Sequence, residues 1–194
     1  MNTWEIKGHV LEYFDDTHTY LVDGIIVPSI TQILKIKFKN KYSEVNEAVL
    51  NRASEKGTQV HEAIEKLCKT GEAEDLKEVK NFIFLQKQYK FNTIDNEVPI
   101  ILFIDNTPVG AGRLDLVLEE NQELGLGDIK RTSVLDKEYL AYQLNLYRIG
   151  YQQCYDKKIT FLKGLHLRED VRKYVNIPIN EKLAQKLVEE YIGG

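Results

Sequence analysis

The sequence of 194 residues, 43% apolar and 29% charged, has the composition of a globular domain with room for one sizeable core. A formal charge of −4 and a pI near 5.7 exclude a protein that coats nucleic acid through bulk positive charge, while leaving room for a local basic groove. No run approaches the roughly 18 apolar residues of a membrane span, the opening MNTWEIKGHVLEY lacks the apolar core of a signal peptide, and the isolated Cys68 and Cys154 cannot assemble a zinc or iron–sulfur cluster. An intracellular protein with reduced, buried thiols is expected.

In chain order, VLEYFDDTHTYLVDGIIVPSITQIL predicts short strands joined by turns, with Asp23-Gly24 suited to a type I′ hairpin. Ser29 and Gln32 have capping-box spacing for a short helix. KIKFKNKY then places Lys35, Lys37, Lys39 and Lys41 at alternating positions, read either as a solvated loop or as a contact to phosphates, before Ser43 as a helix cap. Residues 1–43 are thus read as a hairpin and basic segment, leading into a core over 44–194, all within one domain.

A helix is predicted over 44–69, ending at Gly71, with Ala53, Gly57, His61 and Glu65 along one stripe. A second fits 75–90. Strands at 97–104, 109–119 and 123–131 have short connections and read as an antiparallel meander. A long amphipathic helix from Asp136 follows, then strands in KITFLKGLHL and KYVNIPI, and a closing helix in EKLAQKLVEEYI. The fold class is α/β: a mixed central sheet containing the meander, flanked by helices.

The stretch GLGDIKRT, residues 125–132, raises the functional question. If the hairpin before it turns at Asn121-Gln122, Asp115 falls opposite Asp128, Val117 opposite Leu126 and Arg113 opposite Lys130, with Leu114, Leu116, Leu118 and Ile129 on the other face. Directly opposed like charges destabilise a strand pair. A hard divalent cation such as Mg²⁺ or Mn²⁺ would explain two facing aspartates, and Lys130 would reach toward a water or a phosphate oxygen. A solvated face laced with salt bridges accounts for any one of these residues, but poorly for the set.

Taken in order, VPSITQIL, GTQVHEAIEK, GAGRLDLV, GDIKRT and QLNLY resemble the PD-(D/E)xK nuclease superfamily, and within it the RecB-like exonuclease branch with its phage-encoded members. The resemblance implies a restriction-endonuclease-like core and a Mg²⁺- or Mn²⁺-dependent exodeoxyribonuclease without an iron–sulfur cluster. Its partner would be DNA, single-stranded or with a free end, in the cytoplasm of a bacterial or phage-infected cell. Asp115, Asp128 and Lys130 would be catalytic, with the metal held by His61, Asp115, Asp128 and the carbonyl of Ile129. Gln143 and Tyr147 match the branch's Q-x-x-x-Y element and would position DNA with Arg113 and the lysines at 35, 37, 39 and 41. Glu62, Glu65 and Glu97 are further acidic candidates that helix and strand geometry alone does not place.

Some alternatives stay open. His61 alone reads as an ordinary helix histidine. Tyr139, Tyr142, Tyr151 and Tyr155 form either a packing face or a platform for bases. The activity could also be endonucleolytic, or the chain an inactive DNA-binding relative. The superfamily's proline is absent before Asp115.

Overall fold

A computed structural model describes residues 1–39 and 46–193. Two sheets and five helices form a mixed α/β architecture among the described residues. Strands β1 (Asn2–Ile6), β2 (His9–Phe14), β3 (Thr19–Val22) and β4 (Ile25–Val27) make an antiparallel meander, so the N-terminal region is a four-stranded sheet rather than a single hairpin. The expected Asp23-Gly24 turn is present, both residues having positive φ (53° and 78°), which is what a type I′ turn requires. Asp23 also accepts from Val10 N–H at 2.8 Å, tying the turn to β2.

Helix α1 (Ile30–Leu34) starts at Ser29 in the expected capping box with Gln32. Lys41 and Ser43 lie outside the described residues. Helix α2 (Glu47–Thr70) is capped by the Asn46 side chain at its start and by Gly71, at φ 76°, at its end. Helix α3 (Lys77–Tyr89) leads into β5 (Asn92–Ile104), β6 (Thr107–Glu120) and β7 (Glu123–Lys130). These form the predicted antiparallel meander. The β6–β7 register follows the turn at Asn121-Gln122, with Val117 opposite Leu126. The ladder stops at Leu116–Gly127 because β7 diverges from β6 there, so neither the expected Asp115–Asp128 pair nor the Arg113–Lys130 pair forms across the two strands; Arg113 keeps its pairing with Pro99 on the β5 side.

From Gly125 onward β7 pairs in parallel with β8 (Phe161–Leu167), which it reaches through α4 (Lys137–Tyr155). Strand β9 (Arg172–Ile177) adds antiparallel to β8, and α5 (Glu181–Gly193) follows. The larger sheet therefore runs β5-β6-β7-β8-β9. A parallel pair requires a crossover connection, and the long α4 supplies it.

Two apolar cores flank this sheet. Leu116, Leu118, Ile129, Leu165 and Leu167 pack against Val60, Ile64, Val79 and Phe82 of α2 and α3. Val117, Leu126 and Leu162 pack against Leu140, Leu144 and Tyr147 of α4, in a core that also takes in Leu11, Tyr13, Tyr20 and Val22 of the smaller sheet. Leu114 joins this second core, not the one that holds Leu116 and Leu118. The two sheets are further stitched together where Ala111 N–H donates to Pro28 O at 3.0 Å.

Gly112 marks a close approach. A Cβ there would lie 2.9 Å from Tyr147 Cε1 and 3.1 Å from Ile30 Cγ1, so α1, β6 and α4 meet only because that side chain is absent. Gly112→Ala is expected to lower unfolding free energy by about 1–3 kcal/mol through overpacking, measured by urea denaturation. An unchanged midpoint would show that Tyr147 can move aside.

Candidate metal centre

Strand β5 carries an irregularity at the centre of the site. Asn96 pairs with Leu116 and Val98 with Leu114, so Glu97 stands at the level of Asp115. Its φ is 49°, a left-handed conformation that costs a residue with a Cβ about 1–2 kcal/mol. Packing on both sides enforces it, since Asn96 and Val98 are buried.

Helix α2 brings His61 over the same point, because Val60, Ala63 and Ile64 anchor its buried face and leave His61 on the edge. Imidazole Nδ1 lies 3.7 Å from Asp115 Oδ2 and 3.9 Å from Glu97 Oε1. One donor atom from each of His61, Glu97 and Asp115 falls within 4.8 Å of the others. Ligands about 2.1 Å from a shared octahedral cation stand roughly 3 to 4.2 Å apart, so a small contraction completes such a shell. One imidazole and two carboxylates suit Mn²⁺ or Mg²⁺.

The backbone of Ile129 completes this arrangement. Its N–H donates to Asp115 Oδ2 at 2.7 Å, and its carbonyl lies 3.2 Å from His61 Nε2. The next layer inward is Asp128, 1% exposed, whose Oδ2 meets Lys130 Nζ at 2.5 Å. Asp128 Oδ1 has no hydrogen-bond partner among the described residues. An orphaned buried carboxylate oxygen beside three convergent donors fits a cation-binding site.

Electrostatics follow from this crowding. Burial raises the Asp128 carboxyl above the ordinary range against the pull of Lys130, and Asp115 adds to the rise. Burial would lower the Lys130 ammonium, but Asp128 and Asp115 outweigh it and keep the charge on. Burial likewise pulls the His61 imidazole down, but Asp115 and Glu97 prevail and push it up to about 9.

The expected residues thus divide. His61, Asp115 and Ile129 meet as the motifs implied. Asp128 stands just behind with Lys130, and Glu97, which no pattern could place, supplies the third clustered donor. Arg113 pairs with Glu97, Nε to Oε2 at 3.4 Å. Glu62 and Glu65 line the cavity in front of the cluster, Glu65 being engaged with Lys69. Tyr147 touches this cavity from beneath Gly112, and Gln143, one turn away, is buried with Oε1 unpartnered among the described residues.

Other candidates fall elsewhere. Lys35, Lys37 and Lys39 are exposed, Lys37 pairs with Glu138 at 3.2 Å and lies over the Tyr142 ring, and none of the three borders the cavity. The α4 tyrosines offer no base platform there: Tyr151 is buried, Tyr155 donates to Pro99 O, and Tyr139 and Tyr142 pack on Phe38. The cavity's aromatic wall comes instead from Tyr13, His18 and Tyr20 of the smaller sheet. The only local hint of this in the sequence is the turn-rich DDTHTY.

No family profile and no curated protein sequence matches this chain. Among solved structures, the crystal structure of SSO0001 is similar at a TM-score of 0.49 and 15% identity, over 86% of this chain and 75% of that one. No helix among the described residues is long and apolar enough to cross a membrane.

A metal held at this cluster would have to displace the His61 proton. Because the folded pKa near 9 exceeds the ordinary 6.5, the charged ring stabilises the metal-free protein fully below 6.5, and that contribution fades as pH rises through 9. Mn²⁺ affinity, measured calorimetrically, is therefore expected to rise about tenfold per pH unit between pH 7 and 8.5, with proton release. His61→Ala should flatten this slope, and a pH-independent affinity in the unaltered protein would remove His61 from the site.

Proposed function

We propose that this chain is a Mg²⁺- or Mn²⁺-dependent deoxyribonuclease with a restriction-endonuclease-like core, acting on single-stranded DNA from a free end. The observation that carries this reading is the convergence of His61, Glu97 and Asp115 beside the Ile129 carbonyl, backed by the buried Asp128–Lys130 pair. The cavity in front, about 640 Å³, has the size of a small-ligand site, which suits a short stretch of single strand better than a duplex.

A divalent cation held by His61, Glu97 and Asp115 would supply Lewis acidity toward a phosphate oxygen and would lower the pKa of a water. His61, Glu97 and Asp115 hold their donor atoms for it, and the hydrogen bond from Ile129 fixes the Asp115 carboxylate in place. Lys130 stays protonated, so it acts as a donor and positive charge toward the phosphate rather than as a base. Arg113, held by Glu97, adds a second fixed positive charge at the cavity wall. Neither carboxylate serves as a nucleophile.

End-labelled single- and double-stranded oligonucleotides, incubated with Mn²⁺, Mg²⁺ or chelator, test this directly. Cleavage is expected with either metal and not with chelator, faster on the single strand, and slow on a closed single-stranded circle. Asp115→Asn retains an oxygen to accept from Ile129 N–H, so it should fold normally while losing about 100-fold or more in rate, as should Lys130→Ala. Equal cutting of circle and linear strand would make the activity endonucleolytic. Metal-dependent DNA binding without cleavage would leave an inactive binding relative, and a native rate in Asp115→Asn would overturn the mechanism.

A further inference from the structure

The cavity has a wall to which the proposed reaction assigns no role. Tyr13, Asp15, His18 and Tyr20, all from β2, β3 and the turn between them, face the same space as His61, Glu97 and Asp115. A chain of contacts joins this wall to the metal cluster. Glu97 pairs with Arg113, the Arg113 guanidinium lies 4.8 Å over the Tyr13 ring, and the Tyr13 hydroxyl lies 2.8 Å from His18 Nδ1.

That last contact sets the chemistry of His18. Tyr13 is buried, and its phenol is protonated at neutral pH. A buried hydroxyl left without an acceptor is costly, and among the described residues His18 Nδ1 stands at hydrogen-bond distance to accept from it. An imidazole that accepts at Nδ1 carries its hydrogen on Nε2, and a protonated imidazole has one there as well. His18 therefore offers an Nε2–H donor in either state. It is exposed, and sits at φ 49° in the turn that follows Asp15, a conformation that histidine adopts more readily than most residues. The same cavity is rich in carboxylates, with Asp15, Glu62, Glu65, Glu97 and Asp115 around it. A polar donor held on the far wall of an acidic, cation-binding cavity is matched to a ligand that brings its own anionic oxygens.

We infer that His18 is a substrate-positioning residue of this site: its Nε2–H donates to a non-bridging oxygen of the single-stranded DNA backbone held at the His61–Glu97–Asp115 cluster, and the Tyr13 hydroxyl fixes the ring that does so. The inference rests on the nuclease reading and extends it, since it makes the smaller sheet part of the DNA-binding surface.

Binding of a fluorescent single-stranded oligonucleotide, followed by anisotropy with Ca²⁺ in place of Mn²⁺ to prevent turnover, tests it separately from catalysis. His18→Leu is expected to raise Kd about tenfold, the effect of losing one hydrogen bond to a charged group. His18→Gln, whose amide places a donor near the Nε2 position, should recover most of that loss, and Tyr13→Phe should weaken binding about threefold. Mn²⁺ affinity without DNA, read by calorimetry, should stay within twofold of the unaltered protein in all three. If the unaltered protein binds and cuts the strand while His18→Leu binds it equally well, the inference fails and the nuclease reading stands. Failure of His18→Gln to recover binding, or a parallel loss of metal affinity in His18→Leu, also overturns it. An unaltered protein that neither binds nor cuts the strand removes the nuclease reading itself.

Discussion

The hydrogen bond from Ile129 N–H to Asp115 Oδ2 stands where a strand–strand bond would otherwise be. Strand β7 leaves β6 after Gly127 but stays paired with β8, so the β6-facing N–H and carbonyl of Ile129 lose their backbone partners. Unpaired buried backbone groups are costly, and two side chains take over: the Asp115 carboxylate receives the N–H, and His61 lies against the carbonyl. The Ile129 side chain meanwhile anchors the core beneath α2 and α3. One divergence of two strands thus fixes the height of α2 and the orientation of Asp115, and the rest of the candidate centre is arranged around these.

The charges around that point are mutually compensated. Asp128 is met by Lys130, Glu97 by Arg113, and Asp115 by an imidazole whose pKa it helps to raise. Desolvated ion pairs of this kind contribute little net stability, and well-packed apolar residues of similar volume are often as stabilising. The left-handed Glu97 adds a further local cost. Ion pairs with a buried partner occur elsewhere, as in Arg131–Glu78 and Arg148–Glu181, but at this cavity several ion pairs converge with a left-handed glutamate around one point.

The smaller sheet is bound to the larger by the Pro28–Ala111 hydrogen bond and by a shared core, and Arg113 extends the link electrostatically. Arg113 lies between Glu97 and the Tyr13 ring, and approaches Tyr20 as well. A shift of the β2–β3 turn would therefore be felt at the His61–Glu97–Asp115 cluster through a guanidinium held on both sides.

Much of this was already legible in the residues. The Asp23-Gly24 turn, the Ser29–Gln32 capping box, the Gly71 cap and the β6–β7 register about Asn121-Gln122 all follow from local rules, because turn geometry and period-two alternation act over a few residues. Strand alternation put Asp115, Asp128 and Lys130 near one another, whereas His61 and the Ile129 carbonyl were expected there only through the family resemblance. Local rules could not show that β7 would abandon β6 at Gly127, that Asp128 would be buried behind the cluster, or that Lys37 would turn toward α4. Nor could they place Glu97 or His18. A glutamate carries no signal for a left-handed backbone, and a histidine in a polar turn carries none for a cavity dozens of residues away in sequence. Those positions are set by what packs against them: Glu97 is flanked by the buried Asn96, which donates to Glu65 O of α2, and by Val98 in the core beneath α4, and the Tyr13 hydroxyl holds His18. The sequence by itself determined the elements and the acidic motif, whereas tertiary packing alone decided which side chains share the cavity, because such contacts arise only once distant segments are desolvated together.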